Sequence, residues 1–369
     1  MRHISRILQV IGLSSTFVLN VPAGAEPLSP ELAQSSPTER FGTLPTPWTG
    51  FFLRNEILDV GDQGQHNYQT HSGESKGIGY TCDIGFIDLD HVRDGIDRTA
   101  YLYSVFLQAL RLQQPEVSFA SYDGAARYRV HFTRPLTTDE LYSKTPEIAL
   151  GLAQRYAFLV LTWHEVLTWF GYRTVFLFPE QVSAFTYEDT VSNLIGTQVA
   201  ATALTMPDIP FDQAATRALA QKLDALHLQS RNTTFDAMDK VKDLWWDSHS
   251  AWPFNHFVLR RDIDIGLNGQ PIIPWLVPDV PACPAATPLP LKPFKMSALD
   301  EGAFTGFDDG YIEPGMRGFW DKAFPQGRPV RDGKPATEVN IRQDLGTIMA
   351  EVDREIKREL GEHADRPEP

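Results

Sequence analysis

The stretch from Pro146 to Phe170 constrains the fold of this chain more than any other segment. It is the most apolar helix candidate in the sequence, and Gly171 follows it as a fitting C-terminal stop. A helix that is apolar nearly all round has to be enclosed by other elements. Its apolar run is interrupted at one place, by the pair His164-Glu165. The helical neighbours of His164 are Val160, Leu161, Leu167 and Thr168, and those of Glu165 are Leu161, Thr162, Trp169 and Tyr172. A carboxylate in such surroundings must be paired, protonated or bound to a metal, because burying it alone is costly.

The elements that could enclose this helix are legible on both sides of it. Asp90 to Leu112 has helical spacing, with Asp90 as its expected N-cap. Val117 to Ser121 and Arg127 to Phe132 read as strands joined at Asp123-Gly124, and the second alternates Tyr128, Val130 and Phe132 with Arg127, Arg129 and His131. Arg173 to Phe178 reads as a short strand ended by Pro179. Thr186 and Asp189 form a capping-box pattern that opens a helix to about Leu204. Asp212 to Leu226 and Phe235 to Trp246 read as helices, and residues 271 to 293 carry too many prolines to be regular. A last helix is expected from about Glu338 to Leu360, with a buried stripe of Ile341, Leu345, Ile348, Val352 and Ile356. Gly61 to Gly79, with five glycines, reads as a long loop. The expected class is α+β, mainly α-helical, with a small antiparallel sheet.

The first residues have the three parts of a secretion signal. Arg2 and Arg6 make a basic start, Ile7 to Leu19 is mostly apolar, and Ala23-Gly24-Ala25 places small residues before an expected cleavage after Ala25. The apolar run is shorter than the roughly 20 residues that span a bilayer. A Pro/Ser-rich arm over residues 26–50 and a single globular domain over 51–369 are expected to follow. Loss of Arg2 and Arg6 with no acid changes the formal charge from −14 to −16. Such a surface repels phosphate backbones and argues against nucleic acid as a partner. The expected location is periplasmic or secreted. Cys82 and Cys283, the only cysteines, can form a disulfide there if their Cα atoms come within about 7 Å. The rival reading makes Cys82 a nucleophile with His91 or His164 as its base.

Three stretches could carry chemistry. In Phe86 to Thr99, His91, Asp94 and Asp97 are successively three apart and lie within about 120° of arc on one helix face. An imidazole and carboxylates so placed suit a divalent metal or an acid/base group. In Leu159 to Phe170, His164-Glu165 begins like the His-Glu-x-x-His zinc motif, but Thr168 stands where the second His is needed. In Ser183 to Asn193, Asp189 is expected to cap a helix while Glu188 and Asn193 are free to face a cleft. Weaker signals are His66 and His71 in the Gly-rich loop, and the aromatic run Trp245, Trp246, Trp252 and His256 followed by Arg260-Arg261-Asp262. No Gly-rich phosphate loop, Gly-x-Ser-x-Gly elbow or Cys-x-x-Cys pair occurs.

Together Gly85 to Asp94, Trp163 to Tyr172, Ser183 to Asp189, Leu259 to Gly266 and Pro274 to Pro278 resemble an uncharacterised, exported bacterial family, the domain of unknown function numbered four thousand and fifty-six. The resemblance implies an exported context and no particular activity. From the residues themselves, the leading expectation is a metal-dependent hydrolase of cell-envelope or peptide substrates. His91, Asp94 and His164 would bind a divalent metal such as Zn, Glu165 would be the general base, and Asp97 and Glu188 would be reserve or supporting ligands. The alternative is a non-catalytic binding or structural envelope protein in which the same groups form a buried hydrogen-bonded network.

Overall fold

The computed structural model describes residues 36–47, 55–121, 124–173, 180–206, 208–249, 258–267, 269–292 and 310–361. An antiparallel hairpin, β1 (Ile78–Thr81) and β2 (Gly85–Asp88), leads without a break into the long helix α1 (Leu89–Arg111). Strands β3 (Glu116–Ala120) and β4 (Ala126–His131) follow, and then α2 (Thr145–Trp169), the apolar helix. After it come α3 (Asp189–Leu204), α4 (Phe211–Ala225) and α5 (Arg231–Lys240). The C-terminal part holds β5 (Tyr311–Pro314), α6 (Phe319–Ala323), the hairpin β6 (Val330–Arg331) and β7 (Lys334–Pro335), then β8 (Val339–Asn340) and α7 (Ile341–Leu360). The architecture is α+β and mainly helical, with small antiparallel sheets, the largest ordered β3-β4-β5-β8.

Helix α2 is enclosed as its composition requires. It packs on α1 and α3, and Phe158, Leu159, Trp163, Val166 and Trp169 are at most 1 % exposed. Each such side chain contributes about 1.5–3 kcal/mol when fully buried. The face of β4 carrying Tyr128 and Val130 is buried, as its alternation predicts. So is the whole apolar stripe of α7. Gly171 has φ +92° and ends α2 in the left-handed region that suits glycine.

Helices α1 and α3 meet backbone to backbone. A Cβ on Gly95 would lie 2.9 Å from the Asn193 carbonyl oxygen and from Gly196 Cα, and one on Gly196 would lie 2.2 Å from the Val92 carbonyl oxygen. Both glycines sit about two turns into their helices, so the crossing brings the starts of α1 and α3 side by side. The Asp88 N–H then donates to Ser192 Oγ at 2.9 Å.

Several boundaries differ from expectation. The N-cap of α1 is Asp88, whose Oδ1 accepts the Asp90 N–H at 2.9 Å, because β2 turns directly into the helix; Asp90 instead accepts the Gly77 N–H. The long glycine-rich loop ends at β1 rather than at Gly79. Helix α5 stops at Lys240, since Asp243 takes a left-handed φ of +58° and its N–H donates to the Trp246 carbonyl, which turns Trp245 and Trp246 into the core. Helix α7 starts at Ile341, capped by Asn340, because Val339–Asn340 pair with β5. The expected secretion signal, the strand expected up to Phe178, Trp252 and His256 lie outside the described residues.

Cys82 and Cys283 are joined in a disulfide, with Cα atoms 5.3 Å apart and a sequence separation of 201. This overturns the reading of Cys82 as a free nucleophile. The bond is consistent with an oxidising compartment. Replacing both cysteines by Ser is expected to lower stability by up to about 5 kcal/mol, the chain-entropy value for a loop of this length, read as a fall in the denaturant midpoint. Two glycine variants should have opposite signs. Gly151→Ala, in α2 with open space around it, should gain about 0.5–1 kcal/mol. Gly196→Ala should lose about 1–3 kcal/mol by forcing α1 and α3 apart, and urea unfolding of the two variants checks this.

Candidate metal centre

The crossing of α1 and α3 assembles a group of acids around one imidazole. His91 stands on the first turn of α1, Asp88 is its N-cap, and Glu188 and Asp189 stand at the start of α3. One ligand atom from each of His91, Glu188 and Asp189 lies within 4.8 Å of the others. His91 Nδ1 is 3.3 Å from Asp189 Oδ1 and 3.5 Å from Asp88 Oδ2. Asp88, Glu188 and Asp189 are at most 1 % exposed, whereas 21 % of the His91 side chain is exposed. The imidazole is therefore the edge of the group that meets solvent.

Asp189 and Glu188 each use one oxygen to bind the chain, and Asp88 uses both. Asp189 Oδ2 accepts the Thr186 N–H at 2.6 Å, which is half of the predicted capping box. The Thr186 hydroxyl completes no box; it donates to Glu188 Oε1 at 2.7 Å. Asp88 Oδ2 accepts the Thr43 N–H at 2.6 Å. Asp189 Oδ1, Glu188 Oε2 and His91 Nδ1 are buried and make no hydrogen bond. Buried polar atoms are nearly always partnered, and three such atoms facing one another are a group that could hold a cation.

Glu165 and Arg261 complete the group. Glu165 Oε2 accepts the Phe185 N–H at 3.0 Å, and the Phe185 carbonyl accepts the Asp262 N–H at 2.9 Å. Phe185 holds φ at +55°, a left-handed conformation that costs a bulky residue on the order of 1–3 kcal/mol. Arg261 donates through its Nη atoms to the Ala184, Val182 and Val258 carbonyls. Its charge lies beside Asp189, Glu188 and Glu165, while burial lowers its pKa to about 10. Even with His91 protonated, four carboxylates face two cations. Burial and the neighbouring acids accordingly raise Glu188 to about 8 and Asp189 well above the usual carboxylate range. Burial opposes the charge on His91, but Asp189 and Asp88 outweigh it and raise the imidazole to about 10.

The other residues expected at one site are dispersed. Asp94 and Asp97 continue along α1 into a second buried cluster around Arg40. The Arg40 guanidinium lies 2.7 Å from Glu74, 2.9 Å from Asp94 and 2.8 Å from Asp97. His66 Nε2 is 2.8 Å from Asp97 Oδ1, and Arg93 Nη1 is 3.3 Å from His66 Nδ1. Here carboxylates meet cations directly. His71 is bonded to Thr38 at the surface. His164 lines a small cavity with Glu39, Tyr128, Trp163 and Leu167. Successive helix residues point about 100° apart, so His164 turns away from the cluster that Glu165 joins. Neither Asp94 nor His164 shares a ligand group with His91 among the described residues. A cleft of about 500 Å³, lined by Glu56, Glu74, Lys76 and Arg231 among others, includes none of the His91 group.

Two members escaped sequence reasoning. Asp189 reads as a cap and is one, but a carboxylate has a second oxygen. Asp88 sits in the strand-like run before the helix. The adjacency of Glu188 and Asp189 at a helix start was the available signal.

The family model described as a protein of unknown function (DUF4056) matches residues 40–274, a span that contains every residue of this cluster. No curated protein and no solved structure matches the chain.

The raised carboxyls set a pH dependence. Glu188 and Asp90 are raised to about 8 and Asp94 to about 6, all chiefly by burial. Each holds its proton more tightly folded than unfolded, so the stability it contributes is full below its ordinary value and is lost as pH rises through the raised one. Glu74 and Asp97 are shifted the other way, and their contribution fails only in acid. In the presence of chelator the melting temperature should therefore fall between about pH 5 and about pH 8. A divalent cation should reverse that fall at the upper end, as calorimetric melts would show.

Proposed function

This chain belongs to the DUF4056 family, and we propose that it is an exported protein whose His91, Glu188 and Asp189 bind a divalent metal ion in the service of hydrolysis. The observation that carries this reading is the convergence of three buried donor atoms that make no hydrogen bond, one nitrogen and two oxygens, at the start of two helices. One imidazole with carboxylates suits Mn²⁺ or Fe²⁺ as well as Zn²⁺. Asp94 and His164 have no part in this ligand set, which replaces them with Asp189 and Glu188.

A bound divalent cation polarises a carbonyl and makes water acidic near neutral pH. The chain's own residues supply the rest. Glu165, oriented by the Phe185 N–H, is the general base that takes the proton of the attacking water. Asp88 faces the same His91 nitrogen, Nδ1, at 3.5 Å and adds negative charge beside the ion. Arg261 holds the backbone that carries Glu188 and Asp189 and limits the repulsion among the acids. Substrate reaches the group past the exposed edge of His91. An envelope component or a peptide is the substrate class consistent with the secretion signal read at the N-terminus and with the disulfide.

The non-catalytic alternative has one observation in its favour. The Arg40-centred cluster shows that this fold does contain a buried polar network whose charges are paired. Under that reading the ion would only tie α1 to α3.

Titration of the chelated protein with Zn²⁺ and with Mn²⁺ tests the site. One ion per chain is expected, with affinity lowered at least about ten-fold in Asp189→Asn and in Glu188→Gln. No saturable binding of either ion would remove the proposal. Glu165→Gln separates the two readings. A general base predicts an unchanged melting temperature, retained ion and lost hydrolysis of peptide or cell-wall substrates; a structural role predicts a lower melting temperature and no activity in the parent protein.

A further inference from the structure

The arm that precedes the domain meets the imidazole of the candidate centre at Gly42. A Cβ built on Gly42 would lie 2.7 Å from His91 Cε1, 2.8 Å from His91 Nε2 and 3.1 Å from Asp88 Oδ2. The backbone of Gly42 therefore lies against the imidazole on the side where Asp88 stands. Its φ is not in the left-handed region, so the conformation does not demand glycine. The ring does.

The arm cannot move aside, because it is pinned on both flanks of Gly42. Two residues before it, Arg40 is held by Glu74, Asp94 and Asp97, and its backbone N–H donates to Asp94 Oδ2 at 3.1 Å. One residue after it, the Thr43 N–H donates to Asp88 Oδ2 at 2.6 Å. Further on, Asn55 Nδ2 donates to the carbonyls of Leu44 and Thr46 at 2.6 and 2.7 Å, and the Tyr187 hydroxyl donates to the Pro45 carbonyl. Tyr187 directly precedes Glu188, so the arm is fastened to the same segment that carries two of the ligands.

We infer that Gly42 is a positioning residue for the centre: the pinned arm is the wall that sets the His91 ring towards Glu188 and Asp189. The Arg40 cluster, which holds no candidate ligand, then acts on the centre by fixing this wall. The inference rests on the metal reading above only in its consequence for ion affinity; the ring's placement can be measured without any ion. A methyl group at residue 42 meets a fixed arm on one side and a movable, partly exposed imidazole on the other. The ring turns outward and the ligand set opens.

The test compares Gly42→Ala with the parent protein and with Gly151→Ala, which adds the same methyl where nothing lies within 4 Å. Zn²⁺ and Mn²⁺ affinities are measured by calorimetric titration, and the His91 Cε1–H resonance of the chelated proteins by NMR. In Gly42→Ala the resonance should shift and ion affinity should fall about 10- to 100-fold, while the metal-free melting temperature stays close to that of the parent. Gly151→Ala should change neither the resonance nor the affinity. An unmoved His91 resonance in Gly42→Ala would overturn the inference, whatever the ion affinity. If the parent protein binds no ion but the resonance still moves, the metal reading fails and the positioning role stands. A fall in melting temperature with no movement of the resonance would make Gly42 merely structural and would also overturn it.

Discussion

Everything distinctive in this fold depends on α1 and α3 touching at Gly95 and Gly196. Two helices normally keep a side-chain layer between them, with axes about 8–10 Å apart. Here the Val92 carbonyl sits where a Gly196 side chain would be. The close approach near both helix starts is what brings Asp88 and His91 beside Glu188, Asp189 and Ser192. The apolar helix α2 packs on both, and so delivers Glu165 to the same place from a third direction.

The two buried charge clusters of α1 make an instructive contrast. They lie on one helix, a turn or so apart, and both are rich in carboxylates. Around Arg40 the acids are met by a guanidinium, with His66 and Arg93 alongside, and Glu74 and Asp97 titrate below their ordinary values, although burial keeps Asp94 raised to about 6. Around His91 the four acids are faced by the imidazole itself and by Arg261, whose Nη donors are given to backbone carbonyls. The acids there are raised instead, and donor atoms remain without hydrogen bonds. The same physical demand, compensation of buried negative charge, is met by direct ion pairs in one case and by raised carboxyls in the other.

Much of the secondary structure was legible because it follows from local periodicity. Helices α1, α2, α3, α4 and α7 and the β3–β4 pair all carry apolar repeats that need no knowledge of distant residues. The misread places are those where a distant contact overrides local preference. Trp245 and Trp246 look like the end of a helix, but the core takes them from a turn that only Asp243 in the left-handed region permits. Asp90 looks like the N-cap of α1 until β2 is seen to run straight into the helix and to put Asp88 there. The candidate site was half legible for the same reason. His91 could be singled out by its helical spacing with acids, Glu165 as a polar group in apolar surroundings, and Glu188 as a free acid beside a cap. Asp94, on the helix face shared with His91, is instead captured by Arg40, which lies 54 residues away in sequence.

The amino-acid sequence by itself determined that a helix as apolar as α2 must be enclosed, that its Glu165 must find compensation, and that the two cysteines could bridge. These follow from the cost of burying or exposing particular groups, which is a property of the residues alone. Which acid meets which cation was decided only by the tertiary structure. Attraction between buried charges depends on distances of a few ångströms, and those are set by a glycine-to-glycine helix crossing and a pinned arm that no local pattern announces.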